Sequence, residues 1–226
     1  TRLELAKTNV SIVRSITENI MKYAENPLLL VVSNPADIIT KAVQETSGLP
    51  ANRVIGTGTS LDTARFRYNI STKLHVNVED IQAYIVGEHG DSQVAVWSSA
   101  MVGGFPLEDY AKQVGVTLDK KEIAEHTKNG GAEVIGLKGA TFYGIAMSVS
   151  NIVEAIMKDD SAILPAACVL DESFGEWAGV AVSLPCRLGW EGIETCLRIP
   201  MNEEEQAAMN KSVAILKDFW AQVKEQ

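Results

Sequence analysis

Ile81-Gln82-Ala83-Tyr84-Ile85-Val86-Gly87-Glu88-His89-Gly90-Asp91 is the stretch from which the rest of the chain is read. The apolar run from Ile81 to Val86 predicts a buried strand, and Gly-Glu-His-Gly-Asp ends it abruptly. The two glycines let the backbone turn sharply and approach a ligand closely. His89 is thereby expected at the carboxyl end of a core strand, where open α/β sheets place their chemistry. An imidazole near its unperturbed pKa can both take and give a proton at neutral pH. A lone His-Gly can equally be a hydrogen-bonded loop residue, so the decision falls to the residues upstream.

Working back from that strand, Thr1 to about Tyr23 predicts a helix with Ala6, Val10, Val13, Ile16 and Ile20 on one face. No strand or linker precedes it, so the chain is expected to begin inside a domain. Asn26-Pro27 predicts a turn, and Leu28 to Val32 a strand buried on both faces. Asn34-Pro35 suits a helix start, with Asn as cap and Pro at the first position, and Gly48 with Pro50 beyond suits its end. A short strand, Arg53 to Ile55, then leads into Gly56-Thr57-Gly58-Thr59-Ser60. This β-α-β rhythm implies a parallel, doubly wound sheet. Such sheets open with a glycine-rich phosphate turn followed about 20 residues later by an acidic residue, and this stretch has neither. Gly56 to Ser60 therefore reads as a plain turn. The next helix starts at Leu61 with Thr59 or Ser60 as cap, and Asp62 and Arg65 share one of its faces. They suit a surface ion pair. They equally suit a carboxylate that orients an imidazole, beside a guanidinium whose planar fork grips an anionic substrate.

Downstream, Val94 to Trp97 predicts a strand, Lys120 to Ile135 a polar helix, and Ile145 to Ile156 an apolar one. Short segments at Ala166 to Leu170, Val180 to Leu184 and Ile193 to Ile199 suggest an antiparallel sheet. A last helix carries Met209, Val213, Leu216, Trp220 and Val223 on one stripe. At 226 residues and 46% hydrophobic, the chain can bury a substantial core in one or two domains. A net charge of −9 without a basic stripe argues against nucleic acid or an anionic membrane as partner. No apolar run has the length of a membrane span, and the start lacks a signal-peptide profile. Cys168, Cys186 and Cys196 lack metal-ligand spacing and read as reduced thiols of a cytoplasmic protein. With three scattered histidines, no metal site is expected.

Ser33-Asn34-Pro35-Ala36-Asp37, Gly58-Thr59-Ser60-Leu61-Asp62-Thr63-Ala64-Arg65 and Gly87-Glu88-His89-Gly90-Asp91 together resemble the L-lactate/malate dehydrogenase superfamily in order and spacing. Val96-Trp97-Ser98 and Lys138-Gly139-Ala140-Thr141 are similar to its bacterial L-lactate dehydrogenase branch. The resemblance implies an α/β fold: the second half of a Rossmann-type doubly wound parallel sheet (residues 1–57, its first half absent), then a mixed α/β substrate domain with antiparallel strands (58–226). It implies NAD as cofactor, reversible hydride transfer between L-lactate and pyruvate, a homotetramer and a fermentative role. It gives His89 the part of proton donor and acceptor, and Asp62 that of the carboxylate holding it. Arg65 would pair with the substrate carboxylate, and Arg2 would polarise the carbonyl. Asn34 would lie near the reacting oxygen and nicotinamide, Thr141 in the substrate pocket, and Val32 and Ile145 against the nicotinamide. Thr57 replaces a usual serine, and Ala95 a common proline. The glycine fingerprint and the residue separating pyruvate from oxaloacetate belong upstream of Thr1. A malate or branched 2-hydroxy acid dehydrogenase, or an inactive fragment of such an enzyme, therefore stays open.

Many bacterial members of that branch respond to fructose 1,6-bisphosphate, held across a two-fold axis by an arginine and a histidine. Counted from the Asp62 and His89 motifs, those positions are Arg67 and Gln82. Glutamine cannot become a cation, so the resemblance implies a degraded allosteric site.

Overall fold

The structure, a computed structural model, describes residues 2–224. Helix α1 (Arg2–Met21), strand β1 (Leu29–Val31), helix α2 (Ala36–Ser47) and strand β2 (Val54–Gly56) form the β-α-β unit, with β1 and β2 parallel. Helix α3 (Ser60–Leu74) leads to β3 (Ile81–Val86), which pairs antiparallel with β4 (Val94–Val102), and β4 with the short β5 (Phe105–Pro106). Helices α4 (Leu107–Gln113), α5 (Lys120–Lys138) and α6 (Tyr143–Lys158) follow, then strands β6 (Ile163–Val169), β7 (Ala181–Gly189) and β8 (Gly192–Cys196), and last α7 (Glu203–Val223). The larger sheet runs β1-β2-β6-β7-β8, so a single parallel pair continues into antiparallel strands through Gly56 opposite Ala167. The fold is α/β, with β3-β4-β5 as a second, antiparallel sheet.

Three local expectations are corrected. On α1 the buried stripe runs Ala6, Val10, Thr17 with Val13 and Met21 partly buried, while Ile16 and Ile20 face outward. Spacing of three and four continues from Val13 to Thr17, and at about 100° per residue the stripe therefore passes Ile16 by. Strand β1 is only three residues and is not buried on both faces, because among the described residues it pairs with β2 alone. Neither Asn34 nor Thr59 caps a helix through its side chain. Pro35 takes the cap position of α2 after a cis Asn34–Pro35 peptide; Thr59 does hold the cap position of α3, as expected, but its hydroxyl donates to the Ile85 carbonyl at 2.6 Å. The end of α2 at left-handed Gly48 and the buried stripe Met209, Val213, Leu216, Trp220, Val223 of α7 agree with the sequence reading.

Two apolar clusters carry the molecule. The larger joins α1, α2, α7 and the five-stranded sheet. The smaller packs Phe66, Ile70 and Leu74 of α3 against Ile81, Ala83 and Ile85 of β3. Each of the larger side chains among them, fully enclosed, stabilises the fold by about 1.5–3 kcal/mol. Asp62, Phe66, Ile70 and Leu74 recur every fourth residue, so Asp62 continues the buried stripe of α3 at its first turn. The helix bearing Asp62 and the strand leading to His89 thus share one core, which fixes their separation.

Candidate active site

The turn after β3 is tied down from three sides. Gly87 has φ +88°, a backbone open to glycine and strained for other residues, and a Cβ there would press on the Ser212 hydroxyl. Its N–H and C=O exchange hydrogen bonds with Ser183 of β7, and the Glu88 N–H donates to Ser212 of α7 at 2.9 Å. The His89 N–H donates to Asp37 Oδ2 of α2 at 2.7 Å. Glu88 turns inward, and its Oε2 accepts from the Ser92 N–H and hydroxyl. The backbone that carries the imidazole is therefore anchored by the Asp37 side chain of α2, the Ser183 backbone of β7 and the Ser212 side chain of α7.

On its other side, His89 Nδ1 lies 2.6 Å from Asp62 Oδ2. That hydrogen bond raises the imidazole pKa above its usual value, and burial pulls the other way. With Nδ1 engaged, Nε2 is the nitrogen left for proton exchange. Asp62 Oδ1 is 3.6 Å from Arg65 Nη1, and Asp62 is buried while Arg65 is half-buried. The surface ion-pair reading thus gives way to a buried carboxylate shared by an imidazole and a guanidinium. Thr63 fixes the approach of helix to strand, its hydroxyl accepting from the Ile85 N–H at 3.0 Å.

His89, Asp62 and Arg65 line a cavity of about 520 Å³ together with Val32, Asn34, Thr141 and Ile145. Every expected site residue of described side chain, Arg67 and Gln82 aside, is brought to this one place. The side chain of Arg2 lies outside the described residues. Arg67 and Gln82 are elsewhere: Arg67 donates to the Ala83 carbonyl at 2.8 Å and lies over the Tyr84 ring, while Gln82 is exposed on β3. The sequence reading overlooked Asp37, although it belongs to a quoted motif. Burial pushes its carboxyl up to about 7, and Oδ1 has no hydrogen-bond partner. It also overlooked Gly130 and Gly131 of α5, which lie against the Arg65 side chain. Paired glycines inside a helix are a legible signal of close approach.

Residues 59–226 match the model of the lactate/malate dehydrogenase alpha/beta C-terminal domain, and residues 1–56 that of the lactate/malate dehydrogenase NAD binding domain. The chain belongs to the lactate/malate dehydrogenase family. It is 42% identical over 222 residues to the L-lactate dehydrogenase of Acetivibrio thermocellus, covering 97% of this chain and 70% of that protein. It is 41% identical over 223 residues to that of Nitratidesulfovibrio vulgaris strain DP4, covering 97% and 72%. Among solved structures, the L-lactate dehydrogenase of Clostridium thermocellum superposes with a TM-score of 0.90 at 44% identity, covering 100% of this chain and 75% of that one. The ligand-bound minor L-lactate dehydrogenase of Enterococcus mundtii gives 0.93 at 38%, covering 100% and 72%.

Proposed function

We propose that this member of the lactate/malate dehydrogenase family is an L-lactate dehydrogenase, interconverting L-lactate and pyruvate with NAD. The observation that carries the reading is the His89–Asp62–Arg65 set converging on one cavity. Arg65 offers a planar fork to the substrate carboxylate and so orients the small acid. His89 Nε2 gives its proton to the carbonyl oxygen in reduction and takes it from the hydroxyl in oxidation. Asp62 fixes the tautomer and stabilises the imidazolium, which its 2.6 Å bond favours. Thr141 lines the substrate space, and Arg2 is assigned the polarisation of the carbonyl.

The residues present fit a nicotinamide. Val32 and Ile145 supply apolar walls in the same cavity as His89, and Asn34 supplies an amide. NAD, when bound, accepts or supplies the hydride at C2 of the substrate. Residues 1–57 are read as the NAD-binding part and 58–226 as the substrate domain, a division supported by the family matches on either side of it. A homotetramer is supported by exposed apolar side chains on α1 (Leu5, Ile12, Ile16) and α6 (Met147, Met157); size-exclusion chromatography with light scattering measures it. A cytoplasmic setting is supported by three free cysteines. No helix among the described residues is long and apolar enough to cross a membrane.

The test is NADH consumption with pyruvate, oxaloacetate and branched 2-oxo acids in parallel, with pyruvate expected to have the highest kcat/KM. His89→Gln should lower turnover by at least ~10²-fold while leaving NADH binding in place. A variant keeping more than about a tenth of the wild-type rate removes His89 from the mechanism.

A further inference from the structure

Cys168 of β6, Cys186 of β7 and Cys196 of β8 are scattered in sequence, yet their sulfurs meet in space. Cys196 Sγ is 3.1 Å from Cys168 Sγ and 3.6 Å from Cys186 Sγ. All three are free thiols. Two of them, Cys168 and Cys196, line a separate cavity of about 370 Å³, bounded also by Asp171, Ser173, Phe174 and Glu194. None of these residues lines the cavity that holds His89.

We propose that Cys168 and Cys196 form a peroxide-sensitive thiol pair, in which Cys196 is oxidised first and Cys168 then closes a reversible disulfide. Access decides which sulfur reacts first. Cys196 is half-buried at the cavity wall, Cys168 is buried behind it, and Cys186 is enclosed and does not reach the cavity. The Cys186 thiol is further occupied with the Ala166 and Leu184 carbonyls at 3.5 and 3.3 Å. A hydrogen bond from Cys168, 3.1 Å away, lowers the Cys196 pKa below its usual value while burial and Asp171 oppose it, and this favours Cys196 as the attacking sulfur. Asp171 and Glu194 at the cavity wall disfavour anionic oxidants, which selects a small neutral hydroperoxide.

The steps balance. Cys196 Sγ attacks one oxygen of hydrogen peroxide; an S–O bond forms, the O–O bond breaks, and the departing hydroxide takes a proton to become water. Cys168 Sγ then attacks Cys196 Sγ; the S–S bond forms, the S–O bond breaks, and the second hydroxide leaves as water with the Cys168 proton. Two thiols and one peroxide give one disulfide and two waters. A small dithiol reverses the change by exchange.

Exposing the purified protein to hydrogen peroxide, blocking the remaining thiols with an alkylating agent and mapping peptides by mass spectrometry tests this. The expected product has lost two hydrogens per chain, links Cys168 to Cys196, leaves Cys186 alkylated, and reverts with dithiothreitol. In Cys168→Ala the same treatment should leave a sulfenic acid at Cys196 that dimedone traps, and in Cys186→Ala the cross-link should still form. A Cys186–Cys196 link, or three alkylated cysteines after peroxide treatment of the wild-type protein, overturns the proposal. The wild-type result alone decides, so it stands even where a variant fails to fold.

Discussion

Gly130→Ala separates what helix α5 gains from what the site loses. Within α5, replacing a glycine by alanine should stabilise the helix by roughly 0.5–1 kcal/mol, because the unfolded chain has less freedom to lose. At this position the added Cβ would meet Arg65 Cδ and Nε at 3.2 Å, tighter than most real contacts, so the Arg65 stem must give way by a few tenths of an ångström. Arg65 is held at its tip by Asp62, 3.6 Å away, and the guanidinium would tilt rather than translate. Charge-assisted hydrogen bonds contribute about 1.5–3 kcal/mol each, and a misaligned fork forfeits part of one or both. A loss of about 1–2 kcal/mol corresponds to a rise in KM for pyruvate of roughly 5- to 30-fold. The kcat should change little, since His89 and Asp62 are untouched. Steady-state kinetics gives the KM, and urea unfolding gives the stability. Gly136→Ala in the same helix is the control, because a Cβ there meets nothing within 4 Å; it should stabilise the protein without altering KM. Gly130→Ala with an unchanged KM would refute the reasoning that this glycine makes room for Arg65.

In the proposed mechanism pyruvate reduction draws its proton from His89, whose pKa Asp62 raises; the rate should therefore fall as pH climbs through that raised value. Asp62→Asn should move the fall to lower pH, and a pH–kcat/KM profile with an unshifted limb argues against the pairing. Asp37→Ala bares the buried His89 N–H, which should cost about 1–3 kcal/mol in urea unfolding and lower kcat as the imidazole loses an anchor; unchanged kcat would show that the anchor does not position His89. Arg67 is engaged with Ala83 and Tyr84, and Gln82 carries no charge. Millimolar fructose 1,6-bisphosphate should thus leave the KM for pyruvate nearly unchanged, and a large fall in KM would contradict this.

What could be read from sequence alone follows from the range of each interaction. Asp62 and Arg65 were legible because a helix fixes residues three apart on one face, whatever else the chain does. The strand from Ile81 to Val86 was legible because its apolar run ends at a glycine. The outward turn of Ile16 was not, since apolar character alone does not say which of two adjacent stripes meets a neighbour. The burial of Asp62 became visible only once Phe66, Ile70 and Leu74 were seen against β3. The thiol trio was not legible either: its members come from three strands, and no spacing rule brings Cys168 to Cys196. Asn34 shows the reverse case, a residue whose capping chemistry suited the helix start but which the fold places in the cavity wall instead.

One carboxylate joins helix α7 to the sheet that presents His89. Between the pairs Gln82–Met101 and Tyr84–Val96 the register of β3 and β4 slips, so residues 97–100 lie opposite Ala83. The Trp97 and Ser98 N–H groups donate instead to Glu205 Oε1 at 2.8 and 3.0 Å, and the Ser98 hydroxyl to Oε2. Glu205 also closes the capping box of α7 with Asn202. During synthesis those two amides cannot reach this acceptor until residue 205, more than a hundred positions later, has left the ribosome. The sheet that presents His89 is therefore completed by helix α7, and amide exchange at Trp97 and Ser98 during translation would report the moment of its arrival.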